Sequence, residues 1–253
     1  RKTQDLTPLV ILLILTSTGC LFFHGQRYRH FTTPAPLSQG EFLVLGFMGG
    51  REPWDNEERS VRKLALRLQS MRLPIHVETV ENKKRDLAVR LIQNAFDSDQ
   101  DGRLSPEERS QVRLIVYGQS FGGAAVVKLA NQLQDLNIPI LLTVQVDSVG
   151  LADAEIPPNV AAAANLFQRN GLVIRGEPEI YAEDPARTRI IGNFEFDYSD
   201  KEIDISHVSW FKKIFRVAHT KMEYDPEVWA QVEDLILAAL KTHIDRNSQR
   251  HGQ

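Results

Sequence analysis

A serine flanked by glycines is the first feature of the chain that suggests chemistry. The stretch Gly118-Gln119-Ser120-Phe121-Gly122 follows the apolar run VRLIVYG without a gap and opens a segment rich in Gly and Ala. A nucleophilic serine needs a sharp strand-to-helix turn, small residues around it, and a helix N-terminus that faces the developing negative charge. The pattern predicts that Ser120 is a nucleophile. The simpler interpretation is a glycine-rich turn that lets a helix pack on a strand.

A second pattern, DSDQDGRLSPEE, lies just upstream and matches a calcium-binding EF-hand loop at every position. Alternating aspartates would repel one another without a cation. The expected ligands all stand at ligand positions of that loop: Asp97, Asp99, Asp101, Arg103 through its carbonyl, Ser105 and Glu108. The alternative is a capping box in SPEE, with proline at the first helical position. Because the loop is single, we expect a structural Ca²⁺ rather than a sensor.

Apolar runs and helical patterns alternate along the chain, which predicts an α/β domain with a mostly parallel central sheet and helices on both faces. The predicted strands are Glu41–Phe47, Pro74–Val80, Val112–Gly118, Ile138–Asp147 and Thr188–Tyr198. The predicted helices cover residues 56–71, 84–96, 121–136 and 225–243, with a further helix expected in the alanine-rich stretch within 156–171.

Around Ser120 the chain resembles the serine esterase, lipase and thioesterase branch of the α/β-hydrolase family. The order of predicted elements resembles that family from the first strand to the last helix. In that family the serine, the acid and the histidine follow one another along the chain. The resemblance implies Asp147 as the acid, at the end of a buried strand, with Asp197 as the alternative. It implies His219 as the base, shortly before the last helix, with His207 as the alternative.

The same resemblance implies an oxyanion hole formed by two backbone N–H groups. One is that of Phe121, the residue after the serine. The other is that of Phe47 or Met48, in the glycine-rich stretch GFMGG after the first strand. An ordinary strand-to-helix turn would use these glycines equally well.

The N-terminus differs in composition from the rest. Residues 1–23 combine two basic residues with a short apolar run, which predicts an export signal. The stretch TSTGC resembles a bacterial lipoprotein signal, which implies lipidation of Cys20, the single cysteine; the alternative is an uncleaved signal anchor. We expect residues 24–40 to be a linker, residues 41–247 to form the domain, and residues 248–253 to be a tail. These features predict an exported, membrane-associated protein of the bacterial periplasm or cell envelope.

Composition narrows the function further. The 253 residues suit one large α/β domain, and a net charge of −3 with scattered basic residues argues against a nucleic-acid-binding protein. The sequence predicts an exported serine hydrolase that cleaves a small-molecule or lipid ester or a thioester and carries a structural Ca²⁺. The alternative is a catalytically inactive, calcium-binding hydrolase scaffold that binds a partner or a lipid.

Overall fold

The computed structural model describes residues 25–171, 175–206 and 217–251, with side chains up to residue 245. A 3₁₀ turn, Tyr28–His30, precedes the first strand. The strands are β1 Phe42–Met48, β2 Ile75–Glu81, β3 Leu114–Gln119, β4 Leu142–Val146, β5 Glu155–Ile156, β6 Ala162–Phe167, β7 Tyr181–Ala182 and β8 Arg189–Glu195. The helices are α1 Ser60–Ser70, α2 Arg85–Phe96, α3 Pro106–Gln111, α4 Phe121–Asp135, α5 Val217–Tyr224 and α6 Pro226–His251.

Six strands form one parallel sheet in the order β2-β1-β3-β4-β6-β8, and β5 and β7 form a separate two-stranded parallel sheet. Strand order reverses between β1 and β3, because the chain moves outward in one direction to β2 and in the other from β3. Ligands of open parallel sheets bind outside the carboxyl ends of the strands at such a reversal. The sheet thus places the end of β3, and Ser120 after it, where a ligand site is expected.

Helices cover both faces of the six-stranded sheet. Buried apolar residues of α2 and α4 pack on one face, and those of α1, α5 and α6 pack on the other. β1 shows why the strands read as continuous apolar runs, since its successive side chains point alternately into the two cores and all are buried. The predicted three-layer α/β class is therefore confirmed.

The alanine-rich stretch within 156–171 is a strand rather than a helix, so this part of the prediction was wrong. β6 pairs in parallel with β4 on one side and β8 on the other. Ala163, Ala164 and Asn165 are fully buried between neighbouring elements. Alanine has a high helix propensity, but propensity is a weak preference that burial in a sheet overrides.

The segment predicted as a linker packs against the domain from residue 25 onward. The side-chain amide of Gln26 donates to the carbonyl of Thr79 at 2.7 Å and accepts from the N–H of Glu81 at 3.1 Å, as a neighbouring strand would. Glu78 accepts hydrogen bonds from the backbone and hydroxyl groups of two consecutive threonines of the segment. These contacts cover the edge strand β2, whose free backbone groups would otherwise invite pairing with another chain.

Among the described residues, none of the helices combines the length and apolar character that a membrane crossing requires. The predicted export segment and Cys20 lie outside the described residues.

Candidate active site

Ser120 occupies the sharp turn between β3 and α4 that the glycine pattern predicts. Its backbone adopts φ 58° and ψ −124°, a conformation that non-glycine residues rarely hold. Its N–H donates to the carbonyl of Val146 at 2.9 Å, which ties the turn to the end of β4. The structure therefore keeps a strained serine at the carboxyl edge of the sheet.

The two glycines around the serine are required by close packing. A Cβ atom at Gly118 would lie 2.4 Å from the carbonyl oxygen of Gly122, and one at Gly122 would lie 2.2 Å from the carbonyl oxygen of Phe47. Contacts under 3.0 Å are not found for real Cβ atoms. Only glycine at both positions lets α4 start this close to β1 and β3.

Asp147 and His219 meet in a buried pair beside this turn. Asp147 follows β4 directly, is fully buried, and its Oδ2 lies 2.6 Å from Nδ1 of His219. The amide of Gln168 donates to both carboxylate oxygens of Asp147, at 3.1 and 3.3 Å. With Nδ1 held by the carboxylate, Nε2 is the nitrogen that can accept a proton.

The structure separates the two candidate acids. Asp197 is exposed, and its Oδ1 accepts hydrogen bonds from Ser199 and Asn170. The hydrogen bonds from the hydroxyl and N–H of Ser199, followed by that from Asn170, lower the pKa of Asp197. Asp147 rather than Asp197 is thus the carboxylate in contact with His219. The alternative base, His207, lies outside the described residues.

Ser120 and His219 line the same pocket, but no hydrogen bond joins them in the part of the chain that the structure describes. Nε2 of His219 instead lies 3.5 Å from Nε2 of Gln119, the residue before the serine. Catalytic hydrogen bonds are often long or misaligned in ligand-free structures and shorten in the substrate complex. The residue types of a Ser-His-Asp triad therefore lie close together, but the serine–histidine hydrogen bond of a triad is not formed among the described residues.

The predicted oxyanion donors divide into two cases. Phe121 is the first residue of α4, where a backbone N–H has no partner within the helix, so its position fits the role. Phe47 and Met48 remain inside β1, paired with β2, and neither lines the pocket. The loop begins only at Gly49, and the pocket wall beside Ser120 is formed by Gly49 and its successor.

The pocket next to Ser120 has a volume of about 170 Å³ and a wall that combines charged, polar and apolar residues. Arg59 lies in that wall, with its Nη1 2.9 Å from a carboxylate oxygen of Glu223 and its Nη2 against Glu52. Burial opposes the charge on Arg59, but the carboxylates of Glu223 and Glu52 outweigh it and raise the pKa of the guanidinium. One wall of the pocket is therefore a fixed acid–base cluster.

A separate acidic cluster lies at the opposite end of β3. Ligand atoms of Asp97, Asp99 and Glu108 fall within 4.8 Å of one another, so this cluster could hold a metal ion. Two of the three side chains are buried and that of Asp99 is exposed. Oxygen atoms of carboxylates are the donors that hard divalent cations take.

The loop backbone already satisfies much of this cluster. Oδ2 of Asp97 accepts from the N–H of Gly102 at 2.8 Å, and Gly102 has the positive φ of a tight bend. Hydrogen bonds from the N–H of Ser105 and then from Ser98 lower the pKa of Glu108 to about 2. The pKa of Asp99 is raised: the N–H of Asp101 lowers it, but desolvation and the charges of Asp101 and Glu108 outweigh that effect.

The remaining predicted ligands are Asp101, the hydroxyl of Ser105 and the carbonyl of Arg103. The carboxylate of Asp101 accepts from the N–H of Arg103 at 2.8 Å and is not part of the group. The hydroxyl of Ser105 accepts from the N–H of Glu108 and forms the capping box of α3, the other interpretation of SPEE. The side chain of Arg103 is exposed. The capping box and the acidic cluster thus coexist in one loop.

Sequence reasoning missed several residues around the site. Gln168 was missed because the stretch before it was predicted as a helix. A correct prediction of β6 would have placed Gln168 at the carboxyl end of a strand, where site residues are expected. Asn82, just after β2, donates to the carbonyls of Met48 and Gly50 at 2.9 and 2.6 Å and holds the loop after β1. The position of Arg59 in the pocket could not be predicted from a local pattern, because its partner Glu223 is distant in the sequence.

No protein-family model matches the chain, and no curated protein sequence matches it. Solved structures that are similar at low scores include the following two. A novel cutinase-like protein from Cryptococcus sp. has a TM-score of 0.44 and 14% identity, covering 81% of this chain and 98% of that one. A dienelactone hydrolase from Anabaena variabilis has a TM-score of 0.39 and 12% identity, covering 79% and 86%. At these scores their sites and activities are not transferred to this chain.

Proposed function

We propose that the protein is a serine hydrolase that cleaves a carboxylic ester or thioester. The observation that carries the proposal is the buried Asp147–His219 pair at the rim of the pocket that contains Ser120. A serine hydroxyl becomes nucleophilic only when a positioned base takes its proton, and a buried carboxylate holds that base in the correct tautomer.

The reaction then follows from these groups. Ser120 Oγ attacks the carbonyl carbon while Nε2 of His219 takes the hydroxyl proton, and the carbonyl π electrons move onto the oxygen. The N–H of Phe121 stabilises that oxyanion. The intermediate collapses, the alcohol or thiol leaves with the proton from His219, and Ser120 remains acylated. Water, deprotonated by the same nitrogen, releases the acid and restores the serine.

For this reaction Ser120 Oγ and Nε2 of His219 must come within hydrogen-bond reach of each other. Nε2 of His219 lies near the amide of Gln119, so a substrate that fills the pocket would have to favour the shorter contact with the serine. The small volume of the pocket favours a small-molecule ester over a long-chain lipid ester.

We propose further that the acidic loop binds a structural Ca²⁺ through Asp97, Asp99 and Glu108, with Asp101 drawn in when the ion binds. The ion would brace the loop that leads through α3 into β3. At ~3.3 Å per residue, the six residues of β3 separate the loop from Ser120 by ~20 Å, so the ion would stabilise the strand without entering the reaction. Export and membrane attachment through the N-terminus, with lipidation of Cys20, remain part of this proposal.

Fluorophosphonate labelling of the full chain tests the hydrolase proposal. We expect a probe signal that Ser120→Ala abolishes and that Ser110→Ala, a change at an exposed serine of α3, leaves intact. Circular dichroism establishes that each variant is folded. Labelling that persists in Ser120→Ala would assign the reactive group elsewhere.

The alternative is a catalytically inactive scaffold that binds a partner or a lipid. One observation favours it, since Nε2 of His219 faces Gln119 and no hydrogen bond from Ser120 reaches it among the described residues. Folded protein that the probe does not label, with or without a calcium chelator, would select this alternative.

A further inference from the structure

A second pocket adjoins the one that contains Ser120, and its wall is basic. It has a volume of about 490 Å³ and shares Gly50, Arg51, Phe121 and Val149 with the first pocket. Four cationic side chains line it: Arg51, Lys83, Arg85 and Lys128. No Asp or Glu is among the described residues of its wall. We call it the basic pocket.

Within the part of the chain that the structure describes, the four cations are not paired with acids. None of them forms a salt bridge with any residue in the ranges 25–171, 175–206 and 217–245. One guanidinium N–H of Arg85 donates to the carbonyl of Asn82, while its buried Nε has no hydrogen-bond partner among the described residues. A concave surface lined by one sign of charge concentrates ligands of the opposite charge.

The two sides of Ser120 therefore differ in charge. On one side, the carboxylates of Glu52 and Glu223 already face Arg59. On the other side, the cations of the basic pocket face no carboxylate of the described residues. The N-terminus of α4, which begins at Phe121, adds its partial positive charge on the same side.

Exposed apolar side chains accompany the cations. Phe121 is 49% exposed and Leu151 is 84% exposed, and both line the basic pocket. Such a surface fits a ligand with a short apolar part and an anionic end. Arginine binds carboxylate and phosphate oxygens through paired N–H groups, so both kinds of anion suit this wall.

We propose that the basic pocket is a substrate subsite for an anionic group, and that the enzyme prefers small esters that carry a carboxylate or phosphate near the scissile bond. This inference rests on the proposed hydrolase function. A soluble substrate anion is the source to which we commit, because the subsite is continuous with the pocket of Ser120 through Gly50 and Phe121.

Two matched pairs of esters test this substrate class with the full chain. The first pair compares the 4-nitrophenyl monoester of glutaric acid with 4-nitrophenyl pentanoate, which differ in charge on the acyl side. The second compares 4-acetoxybenzoate with its methyl ester, which differ in charge on the alcohol side. We expect kcat/KM to favour the anionic member of at least one pair by about tenfold or more, and about 0.5 M NaCl to reduce the preference.

Charge-neutral variants connect the preference to the pocket. In a protein with Arg51→Gln, Lys83→Gln, Arg85→Gln and Lys128→Gln combined, the anionic-to-neutral ratio of kcat/KM should fall toward one. Lys241→Gln, an exposed lysine of α6 outside the pocket, is the matched control. Equal rates for both members of both pairs, or a preference that survives the combined change, would overturn the inference and leave the hydrolase proposal intact.

A binding measurement separates this inference from failure of catalysis itself. Calorimetry with monomethyl glutarate and the Ser120→Ala protein should show binding that the four Gln substitutions weaken about tenfold or more. Absence of binding would overturn the subsite even if the enzyme is active. Vesicles of phosphatidylcholine with about 20% phosphatidylglycerol provide the other arm. Sedimentation with those vesicles that depends on the four cations, without any ester preference, would assign the surface to lipid headgroups and contradict a substrate subsite.

Discussion

The two ends of β3 hold two candidate sites that the protein builds by different physical means. At the carboxyl end, Ser120 is fixed by backbone contacts so close that neither Gly118 nor Gly122 leaves room for a Cβ atom. At the amino end, the acidic loop is held by hydrogen bonds from backbone N–H groups to carboxylates, and a Cβ at Gly102 would meet nothing within 4 Å. Steric packing and hydrogen bonding thus produce two sites with different sensitivity to substitution.

The largest expected effect separates the two ends by function. Asp147→Asn should lower kcat by about 10³- to 10⁴-fold, because an amide no longer holds His219 in the tautomer that accepts a proton. Hydrolysis of 4-nitrophenyl acetate measures the loss. Asp197→Asn is the matched control at the exposed alternative acid and should change kcat by less than about twofold. A larger loss from Asp197→Asn would contradict the assignment of Asp147.

The next effect probes the packing of the serine turn. Gly122→Ala should lower the free energy of unfolding by about 3 kcal/mol, since the new methyl group would force the end of β1 away from α4. Urea denaturation of this variant and of Lys128→Ala, an exposed change on the same helix, measures the difference. A loss from Gly122→Ala no greater than that from Lys128→Ala would mean that the turn has more room than the structure gives it.

Calcium removal probes the opposite end of β3. At a free Ca²⁺ concentration about 100 times the dissociation constant, binding should stabilise the protein by about 2.7 kcal/mol. Melting temperatures with Ca²⁺ and with a chelator measure the effect for the wild type and for Glu108→Gln. Glu107→Gln, the exposed neighbouring residue, is the control that should keep the Ca²⁺-dependent shift. A shift retained in Glu108→Gln would exclude the acidic cluster as the binding site.

Sequence reasoning succeeded where the constraint is local and lost accuracy where it depends on distant parts of the chain. The serine turn and the bend at Gly102 could be predicted because each depends on a few neighbouring residues. Asp147 could be predicted because it is the first charged residue after a buried strand. The strand β6 could not be predicted locally, because its alanine-rich stretch becomes a strand only through pairing with β4 and β8. Gln168 was lost with that strand.

The walls of the two pockets were even harder to predict from local sequence. Arg59 and Glu223 come together only because α1 and α5 lie on one face of the sheet, and neither residue stands in a recognisable pattern. The four cations of the basic pocket also come from separate loops and helices. Motifs therefore pointed to the candidate reactive groups, while the walls of the two pockets required the folded structure.

The smallest expected effect is on stability at Gly102, which has open space around it, in contrast to the tightly packed Gly122. Gly102 has φ +85° and open space around it, so Gly102→Ala should cost only the strain of that backbone conformation, about 1 kcal/mol. The melting temperature measured with a chelator isolates this cost from calcium binding. Gly102→Asn is the informative control, since asparagine tolerates left-handed backbone better than alanine and should recover part of the loss. If Gly102→Ala instead destabilised the protein as much as Gly122→Ala, the loop would be limited by packing, and the distinction between the two ends of β3 would fail.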